Sequence, residues 1–325
     1  MPIVVNSNTT ATTASFNLSH ANDALRKSLA RLSSGKRIVS PADDAGGLAV
    51  AYKLESALKR TEAVRQNVQN GISYLQVQDG ALAITGKVLS RMAELRTMAM
   101  DVTKNSSDIE NYSKEFQELQ SQLNQIRNQK FNGMSLFAIA GMDASNFSGN
   151  PPQINVSSNG GVYTDSSGTT NYAKYSRTIY THESGQEEDG SISLNVVNLQ
   201  FVLSLGAVGD LGGFNNPGTS DTVTINGTTI LRDIEDFDIS LFTTAIEKLS
   251  DLRAENGAEQ NRLSMASELL ALNQTNLEAA HGRIMDADIA LESTRMARQN
   301  VLVQSSAAMV AQANQLTNIA LTVLG

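Results

Sequence analysis

Three acidic side chains near the C-terminus are the first candidates for chemistry, because grouped carboxylates can bind a cation or transfer protons. They are Asp286, Asp288 and Glu292. On a helix, Asp288 and Glu292 share a face, whereas Asp286 lies about 160° away around the axis. The three carboxylates therefore do not converge, and the pattern favours a solvated or salt-bridging face over a metal site.

A second candidate is the pair His182-Glu183, which begins like the His-Glu-x-x-His motif of zinc proteases. Gln186 occupies the position of the second histidine, and the chain contains 3 His and 0 Cys. We find neither a Gly-x-Ser-x-Gly nucleophile elbow nor a glycine-rich loop of the kind that binds phosphate. The sequence therefore predicts neither an enzyme nor a bound cofactor.

The elements that carry these residues are long helices. From Phe242 to Leu291 the seam residues recur at alternating steps of three and four, and no proline interrupts them. A heptad pattern of this kind specifies a helix that packs along a partner, and about fifty residues would span roughly 75 Å. The seam residues are Phe242, Ala245, Leu249, Leu252, Asn256, Glu259, Leu263, Ala266, Leu270, Asn273, Leu277, Ala280, Ile284, Ala287 and Leu291.

The N-terminal segment contains a shorter amphipathic helix with Leu18, Leu25 and Leu32 on its seam. It is expected to end at Ser33-Ser34-Gly35, because glycine readily adopts the left-handed conformation that closes a helix. The next helix is expected to start at Ser40-Pro41, where serine can cap and proline suits the first turn.

This second helix is expected to run to about Thr103, with Gly46-Gly47 either admitting a close neighbour or fraying the first turn. A third helix opens at Ser107-Asp108 with a capping box and ends near Phe131-Asn132-Gly133. The seam of the third helix comprises Ile109, Tyr112, Phe116, Leu119, Leu123 and Ile126.

Residues 141–235 have a different composition, dominated by Ser, Asn, Gly and Thr. Alternating apolar residues at 192–196 predict a strand, and a shifted alternation at 199–205 predicts its continuation after a bulge or turn. The Asn226-Gly227 pair between two short β-rich runs predicts a hairpin.

After Leu291 the heptad phase changes, which indicates a junction between domains. The last thirty or so residues are therefore a separate amphipathic helix, which we expect to pair with the helix at 18–32. Its seam comprises Leu302, Ser305, Met309, Gln312, Leu316, Ile319 and Val323.

Composition excludes several classes of function. The formal net charge is −8 and no basic stretch is present, which argues against nucleic acid as the main ligand. No apolar run approaches the roughly 18 residues of a membrane span. The segment Met1–Val5 lacks the basic and apolar regions of a cleavable signal peptide.

These elements predict a mainly α fold, in which long antiparallel coiled-coil helices from both termini pack together around a small β-rich central insert. Two groups of motifs then resemble bacterial flagellins. The first is Arg31-Leu32-Ser33-Ser34-Gly35-Lys36-Arg37-Ile38 with Ala42-Asp43-Asp44-Ala45-Gly46. The second is Asn276-Leu277, Arg283-Ile284, Asp286-Ala287-Asp288 and Ala311-Gln312-Ala313-Asn314-Gln315.

This resemblance implies three domains of a filament subunit. Residues 1–44 and 286–325 would form the inner coiled-coil domain facing the filament lumen, where the leucines of the first helix and the last-helix residues Leu302, Met309, Leu316, Ile319 and Val323 pack. Residues 45–140 and 236–285 would form a helical tube wall, and 141–235 a variable outer surface. The subunit would be extracellular and exported unfolded through the flagellar type III channel. Its partners would be other copies, an export chaperone, and the cap and hook-junction proteins.

The resemblance also extends to a recognition segment. Leu89–Leu95 is similar to the flagellin segment contacted by the Toll-like receptor that senses flagellin, with Arg91, Leu95 and Glu118 at its key positions. The same face could instead serve subunit stacking, which we take as its primary role. The alternatives to a filament subunit are a hook–filament junction protein and a secreted coiled-coil adhesin.

Overall fold

The computed structural model describes residues 8–138, 154–165, 168–202, 222–225, 228–231 and 234–324. The chain divides into two compact units, one formed by Met1–Arg60 with Asn273–Gly325 and the other by Thr61–Leu272. The domain limits expected at residues 44 and 286 remain predictions.

The terminal unit is built on two packed helices, α1 (Thr9–Ser34) and α6 (Ile289–Leu324). Asn8 caps α1 by accepting a hydrogen bond from the Ala11 amide at 3.0 Å, and its side-chain amide donates to the Ala313 carbonyl at 2.9 Å. Helix α1 ends where the sequence predicted, because Gly35 adopts a left-handed conformation with φ of 69°. We call α1 and α6 together the terminal helix pair.

The expectation of one helix from Phe242 to Leu291 is wrong. Helix α5 spans Ile239–Met285 and α6 begins only at Ile289. Between them, Asp286 forms an antiparallel bridge with Lys36, in the segment that follows α1. The Arg37 amide donates to the Met285 carbonyl at 2.6 Å, and the Ala287 amide donates to the Gly35 carbonyl at 2.9 Å. These backbone hydrogen bonds replace the helical ones that a continuous helix would make.

The second helix begins later than expected. Helix α2 spans Ala45–Ala99, and Asp44, not Ser40, caps it by accepting a hydrogen bond from the Gly47 amide at 2.8 Å. A Cβ atom on Gly47 would lie 2.4 Å from a carboxylate oxygen of Asp44 and 3.1 Å from the Ile38 side chain. Gly47 therefore makes room for the side chains of Asp44 and Ile38, and the close backbone approach expected at this glycine pair stays a prediction.

The second unit holds the main hydrophobic core, formed by α2, α5 and α3 (Ser106–Arg127). Helix α3 does begin with a capping box, but two residues earlier than the one expected at Ser107, with Asn105 as the cap and Asp108 as its partner. From Phe242 to Leu270 the seam of α5 is buried, as the heptads predicted, except for the half-buried Ala266. The largest fully buried side chains of this core are Phe116, Phe137, Phe237, Phe242, Leu75, Leu82, Leu89, Met92, Leu95, Leu123 and Leu136.

A tight hairpin follows α3 where the sequence predicted only the end of a helix. Its strands are β1 (Lys130–Phe131) and β2 (Met134–Ser135). Asn132 and Gly133 connect them with φ of 50° and 79°. Two consecutive positive φ values define the type I′ turn that Asn-Gly favours, so the dipeptide itself was the missed signal.

Three antiparallel strands form the larger sheet, in the order β3 (Ile154–Asp165), β4 (Gly168–Tyr180) and β5 (Ser191–Val196). Strand β5 confirms the alternation at 192–196. The predicted extended continuation is wrong at Leu199–Val202, which form the short helix α4, and residues 203–205 lie outside the described part of the chain.

The hairpin predicted at Asn226-Gly227 is confirmed by its two strands. Strands β6 (Thr222–Ile225) and β7 (Thr228–Leu231) pair antiparallel, with Ile225 opposite Thr228. This register leaves a two-residue connection, the length that selects a primed turn. The connecting residues 226–227 lie outside the described residues.

The sheet sets limits on which part of the middle region can be removed. Residues 157–190 have no heptads and few large apolar groups, so the sequence alone predicts that they lie on the outside and tolerate deletion. However, β4 pairs with β5 from Tyr175 to Tyr180, Arg177 is buried, and Ile179 packs against the main core.

We expect replacement of residues 158–173 by Asn-Gly to preserve folding, because Ser157 pairs with Lys174 and a two-residue turn can join them. Deletion of residues 174–180 should lower the free energy of unfolding by several kcal/mol, since it uncovers β5 and removes the half-buried Ile179 from the edge of the main core. Urea denaturation of both variants measures the difference. Equal stability of the two deletions would contradict this limit.

Candidate interaction surfaces

The terminal helix pair buries a narrow stripe of mostly small side chains. In α1 the stripe recurs at the heptad spacing and includes Leu18, Leu25 and Leu32, which are half-buried. The most buried side chains in the pair are Ala21, Ser28, Glu292 and Ala313. Burial of small and polar groups contributes little hydrophobic free energy, so the two helices alone form a thin interface.

The face of α6 that approaches α1 differs from the predicted seam. Leu302 and Met309 are 41% and 60% exposed, whereas Val303 and Val310, one residue further on, are half-buried. One residue corresponds to a rotation of about 100° around a helix. The interpretation that Leu302 and Met309 pack against the 18–32 helix within one chain is therefore wrong. The side chains of Leu316, Ile319 and Val323 lie outside the described part.

Ion pairs at one end of the terminal helix pair fix the rotation of α6 relative to α1. Glu292 is buried and lies 4.0 Å from Arg31 of α1 and 3.3 Å from Arg295.

Asp43 pairs with Lys27 at 2.6 Å. The Lys27 hydrogen bond, together with those from the Val39 and Ser40 amides, lowers the pKa of Asp43 from 3.8 to about 2. Its stabilising contribution is therefore present above pH 3.8 and lost as the pH falls through 2.

The three C-terminal acids Asp286, Asp288 and Glu292 have separate structural roles. Asp286 lies in the backbone bridge to Lys36, and Asp288 caps α6 by accepting from the Ala290 and Leu291 amides at 3.0 and 3.1 Å. Glu292 pairs with arginines. Within the described ranges, no group of three or more His, Cys, Asp or Glu side chains is placed to hold a metal ion.

The outward faces of the terminal helix pair carry large apolar side chains. Phe16 is 65% exposed on α1, and Val301 is 64% exposed on α6. Isolated exposed apolar residues are ordinary, but a set distributed along both helices of a thin pair indicates a surface that associates with another protein. The set is Phe16, Leu29, Ile289, Leu291, Val301, Leu302 and Met309, and we call it the outer apolar set.

The second candidate surface lies on α2 and α3 and is centred on Arg91. Its guanidinium donates to Glu115 at 2.7 and 3.2 Å and to Glu94 at 3.1 Å. These two carboxylates, Glu115 first, raise the pKa of Arg91 above its ordinary value. Glu118 is exposed on α3. The sequence reasoning missed Glu115, which lies one helical turn before Glu118.

Leu95 occupies a different environment from Arg91. Its exposed fraction is 0% and it belongs to the main core. The expectation that Leu95 shares an accessible contact face with Arg91 is therefore wrong. The spacing of four residues places both on neighbouring parts of the helix surface, but only Arg91 reaches solvent.

Comparison with known proteins identifies the family. The profile of the bacterial flagellin N-terminal helical region matches residues 5–141, and that of the bacterial flagellin C-terminal helical region matches residues 239–324. The flagellin of Bacillus subtilis is 31% identical over 316 residues, which cover 96% of each chain. The chain belongs to the bacterial flagellin family. Polar flagellin F of Vibrio parahaemolyticus is also similar, with 29% identity over the full length of both flagellins.

A solved structure supports the fold of this flagellin. A Vibrio parahaemolyticus protein assigned as flagellar hook-associated matches with a TM-score of 0.51 and 13% identity, over 75% of this chain and 100% of that chain. At this level of identity the match concerns the fold alone. The predicted mainly α fold, with packed terminal helices and a small strand insert, is confirmed.

Membership of the family establishes the general function. This flagellin is a structural subunit of the bacterial flagellar filament, which serves motility. Flagellins are structural proteins that self-assemble into this filament, which lies outside the cell. Among its described residues, none of the helices combines the length and the hydrophobicity that a bilayer span requires.

Proposed function

We propose that neighbouring copies of this flagellin cover the outer apolar set of the terminal helix pair and thereby form the core of the filament. The observation that carries this proposal is the exposure of large apolar side chains on both helices of a pair with a thin internal interface. In this arrangement, residues 1–44 with 286–325 face the lumen. Residues 45–140 with 236–285 form the tube wall, and 141–235 the outer surface.

The energetics of the terminal unit support coupled folding and assembly. Among the described residues of this unit, the apolar cluster has Ile38, Ala51 and Met285 as its buried members, with Leu48 and Ile284 packed against it. Ordering roughly 65 terminal residues, 1–35 and 296–325, costs on the order of 100 kcal/mol in backbone entropy. A single stripe on each helix cannot offset that cost at about 25 cal/mol per Å². Neighbouring subunits supply the missing contacts.

We therefore propose that both tails are disordered in the isolated subunit and fold on assembly. Limited proteolysis of the monomer tests this directly and should leave a resistant fragment of about residues 45–290. The same digestion of assembled filaments is the control, since it should leave the tails intact. Protected tails in the monomer would contradict the proposal.

Family membership also supports more specific proposals about export, assembly and binding. The subunit is exported unfolded through the flagellar type III channel, with help from an export chaperone, and is added beneath a cap beyond the hook-junction proteins. It binds neither nucleic acid nor membrane and has no enzymatic activity. Export of the full-length chain with its first residues intact, checked by mass spectrometry of sheared filaments, tests the route.

Two alternatives make different predictions. A hook–filament junction protein would be scarce on the cell surface, whereas a filament subunit is abundant. A secreted coiled-coil adhesin would form a stable soluble oligomer. Negative-stain microscopy of the concentrated, purified chain separates both from a subunit that polymerises into tubes.

The Arg91 surface supports a second proposed role. We propose that Arg91 and Glu118 contribute mainly to subunit stacking and also to recognition by the Toll-like receptor that senses flagellin. Arg91 remains 43% exposed despite its ion pairs, so a partner can still reach its guanidinium. Leu95 acts only from within the core.

Arg91→Ala combined with Glu118→Ala should weaken receptor activation by soluble monomer about tenfold, equal to roughly 1.4 kcal/mol. A cell-based receptor assay measures the effect. Glu110→Ala, which removes another exposed acid of α3, is the matched control and should have no effect. An inactive wild-type monomer would show that this recognition role does not apply to the chain.

A further inference from the structure

A buried polar junction in the second unit converges on Asn195 of β5. The Asn195 amide donates to both carboxylate oxygens of Glu259 at 3.0 and 3.1 Å, and its side chain donates to Glu255 at 2.9 Å. Its carbonyl accepts from the side chain of Gln78 at 3.2 Å. One residue thus joins the sheet to both α5 and α2.

The junction continues through the centre of the helix pair. The Gln78 side-chain oxygen accepts from Asn256 at 2.7 Å, and its nitrogen also donates to the Leu136 carbonyl at 2.8 Å. Gln78 and Asn256 are buried. Asn256 and Glu259 occupy seam positions of α5, between the apolar seam residues Leu252 and Leu263. Polar groups therefore replace apolar packing at the place where β5 meets the helices.

Glu259 is the least compensated member of this junction. It is only 9% exposed, and among the described residues the Asn195 amide is its hydrogen-bond donor. Lys174 of β4, the nearby cation from the sheet, is already engaged by Glu255. The other charged or titratable groups facing Glu259 are Arg262 on α5 and Tyr74 on α2.

Two physical effects make this carboxyl hold its proton. Burial, the larger effect, and the neighbouring Glu255 charge raise the pKa of Glu259 from 4.5 to about 7, against the opposing hydrogen bond from Asn195 and the charges of Lys174 and Arg262. Moving a carboxylate out of water without an ion pair of its own is costly, so the neutral acid is favoured in the closed junction.

We propose that Glu259 is a pH-dependent contact between the three-stranded sheet and α5. The protonated carboxyl stabilises this contact, and ionisation of the carboxyl weakens it. Opening the contact between β5 and α5 admits water to the carboxylate, which then ionises at its ordinary pKa. Because the closed state binds more protons than the open state between these two values, closure weakens as the pH rises from 4.5 through 7.

Hydrogen exchange of the Asn195 amide in the full-length chain tests this inference, because the amide is itself a bond of the junction. The protection factor, which removes the intrinsic pH dependence of exchange, should fall on the order of 10- to 100-fold between about pH 5 and pH 8. Glu259→Gln keeps a neutral hydrogen-bond acceptor in place, so its protection factor should stay constant over the same interval.

Two further variants retain Glu259 and shift the transition in opposite directions. Glu255→Gln removes a negative neighbour and lowers the closed-state pKa of Glu259, so the loss of protection should end at a lower pH and be smaller. Lys174→Met removes a positive neighbour, so the loss should continue to a higher pH and be larger. These opposite shifts keep the test decisive even if Glu259→Gln fails to fold. A wild-type protection factor that is constant with pH, or two shifts of the same sign, would overturn the proposal.

Discussion

Met309→Asp is expected to give a folded, soluble subunit that builds no filaments. Met309 is 60% exposed in the single chain, so a carboxylate there remains solvated in the monomer. Contact with a neighbouring copy would remove that water and leave the charge unpaired, at a cost of several kcal/mol for each subunit. Because every subunit in the filament carries the change, elongation should stop completely.

Negative-stain microscopy and sedimentation of the purified variant measure this effect. Met309→Leu keeps the volume and the apolar character, so it should assemble normally. Leu302→Asp should repeat the defect from a second position on the same helix, and we expect Leu316→Asp to do the same. Normal filaments from Met309→Asp would contradict the proposal that neighbouring subunits cover this face of α6.

Leu95→Ala is expected to lower the free energy of unfolding of the second unit by about 2–5 kcal/mol. Leu95 is fully buried among the aliphatic and aromatic residues of the main core. Truncation removes the hydrophobic free energy of the deleted side-chain carbons, and it leaves a cavity that the packed helices cannot close. Urea denaturation of the monomer measures the loss.

Met98→Ala provides the matched control on the same helix. Met98 is 40% exposed, so its truncation should cost about 1 kcal/mol or less. The pair also separates two explanations of any receptor defect in Leu95→Ala. A defect that follows the unfolded fraction reflects core packing, whereas a defect in fully folded protein would restore Leu95 as a contact residue.

The helices of the second unit could be predicted from the sequence because local periodicity decides them. Within this unit the seam residues of α3 and α5 are buried or half-buried, as their heptads require, and the α3 capping box forms between residues three apart. These signals depend on groups that are close in the chain. The break at Asp286 could not be predicted in this way, because Ala287 and Leu291 continue the heptad pattern. It depends on hydrogen bonds from the distant segment at residues 35–37.

At two other positions the structure differs from the sequence-based prediction because two similar residues could fill the same role. Ser40 and Asp44 are both suitable caps, and the choice of Asp44 follows from a turn at 40–43 in which Asp43 accepts from the Val39 and Ser40 amides. Glu115 and Glu118 lie one turn apart on α3, and only the packing of α3 against α2 decides which of them reaches Arg91. Sequence spacing alone does not contain that information.

The bridge between Lys36 and Asp286 also separates the helical phase of α6 from that of α5. In an uninterrupted coiled coil, inserting one residue rotates every later side chain by about 100°, and the mismatch persists until another insertion corrects it. Here the Asp288 cap begins α6 afresh, and the Arg31–Glu292 ion pair sets its rotation against α1. An insertion within α5 would therefore leave the facing of α6 unchanged. The terminal helices can thus keep one surface for their neighbours while the sequences of α2 and α5 change.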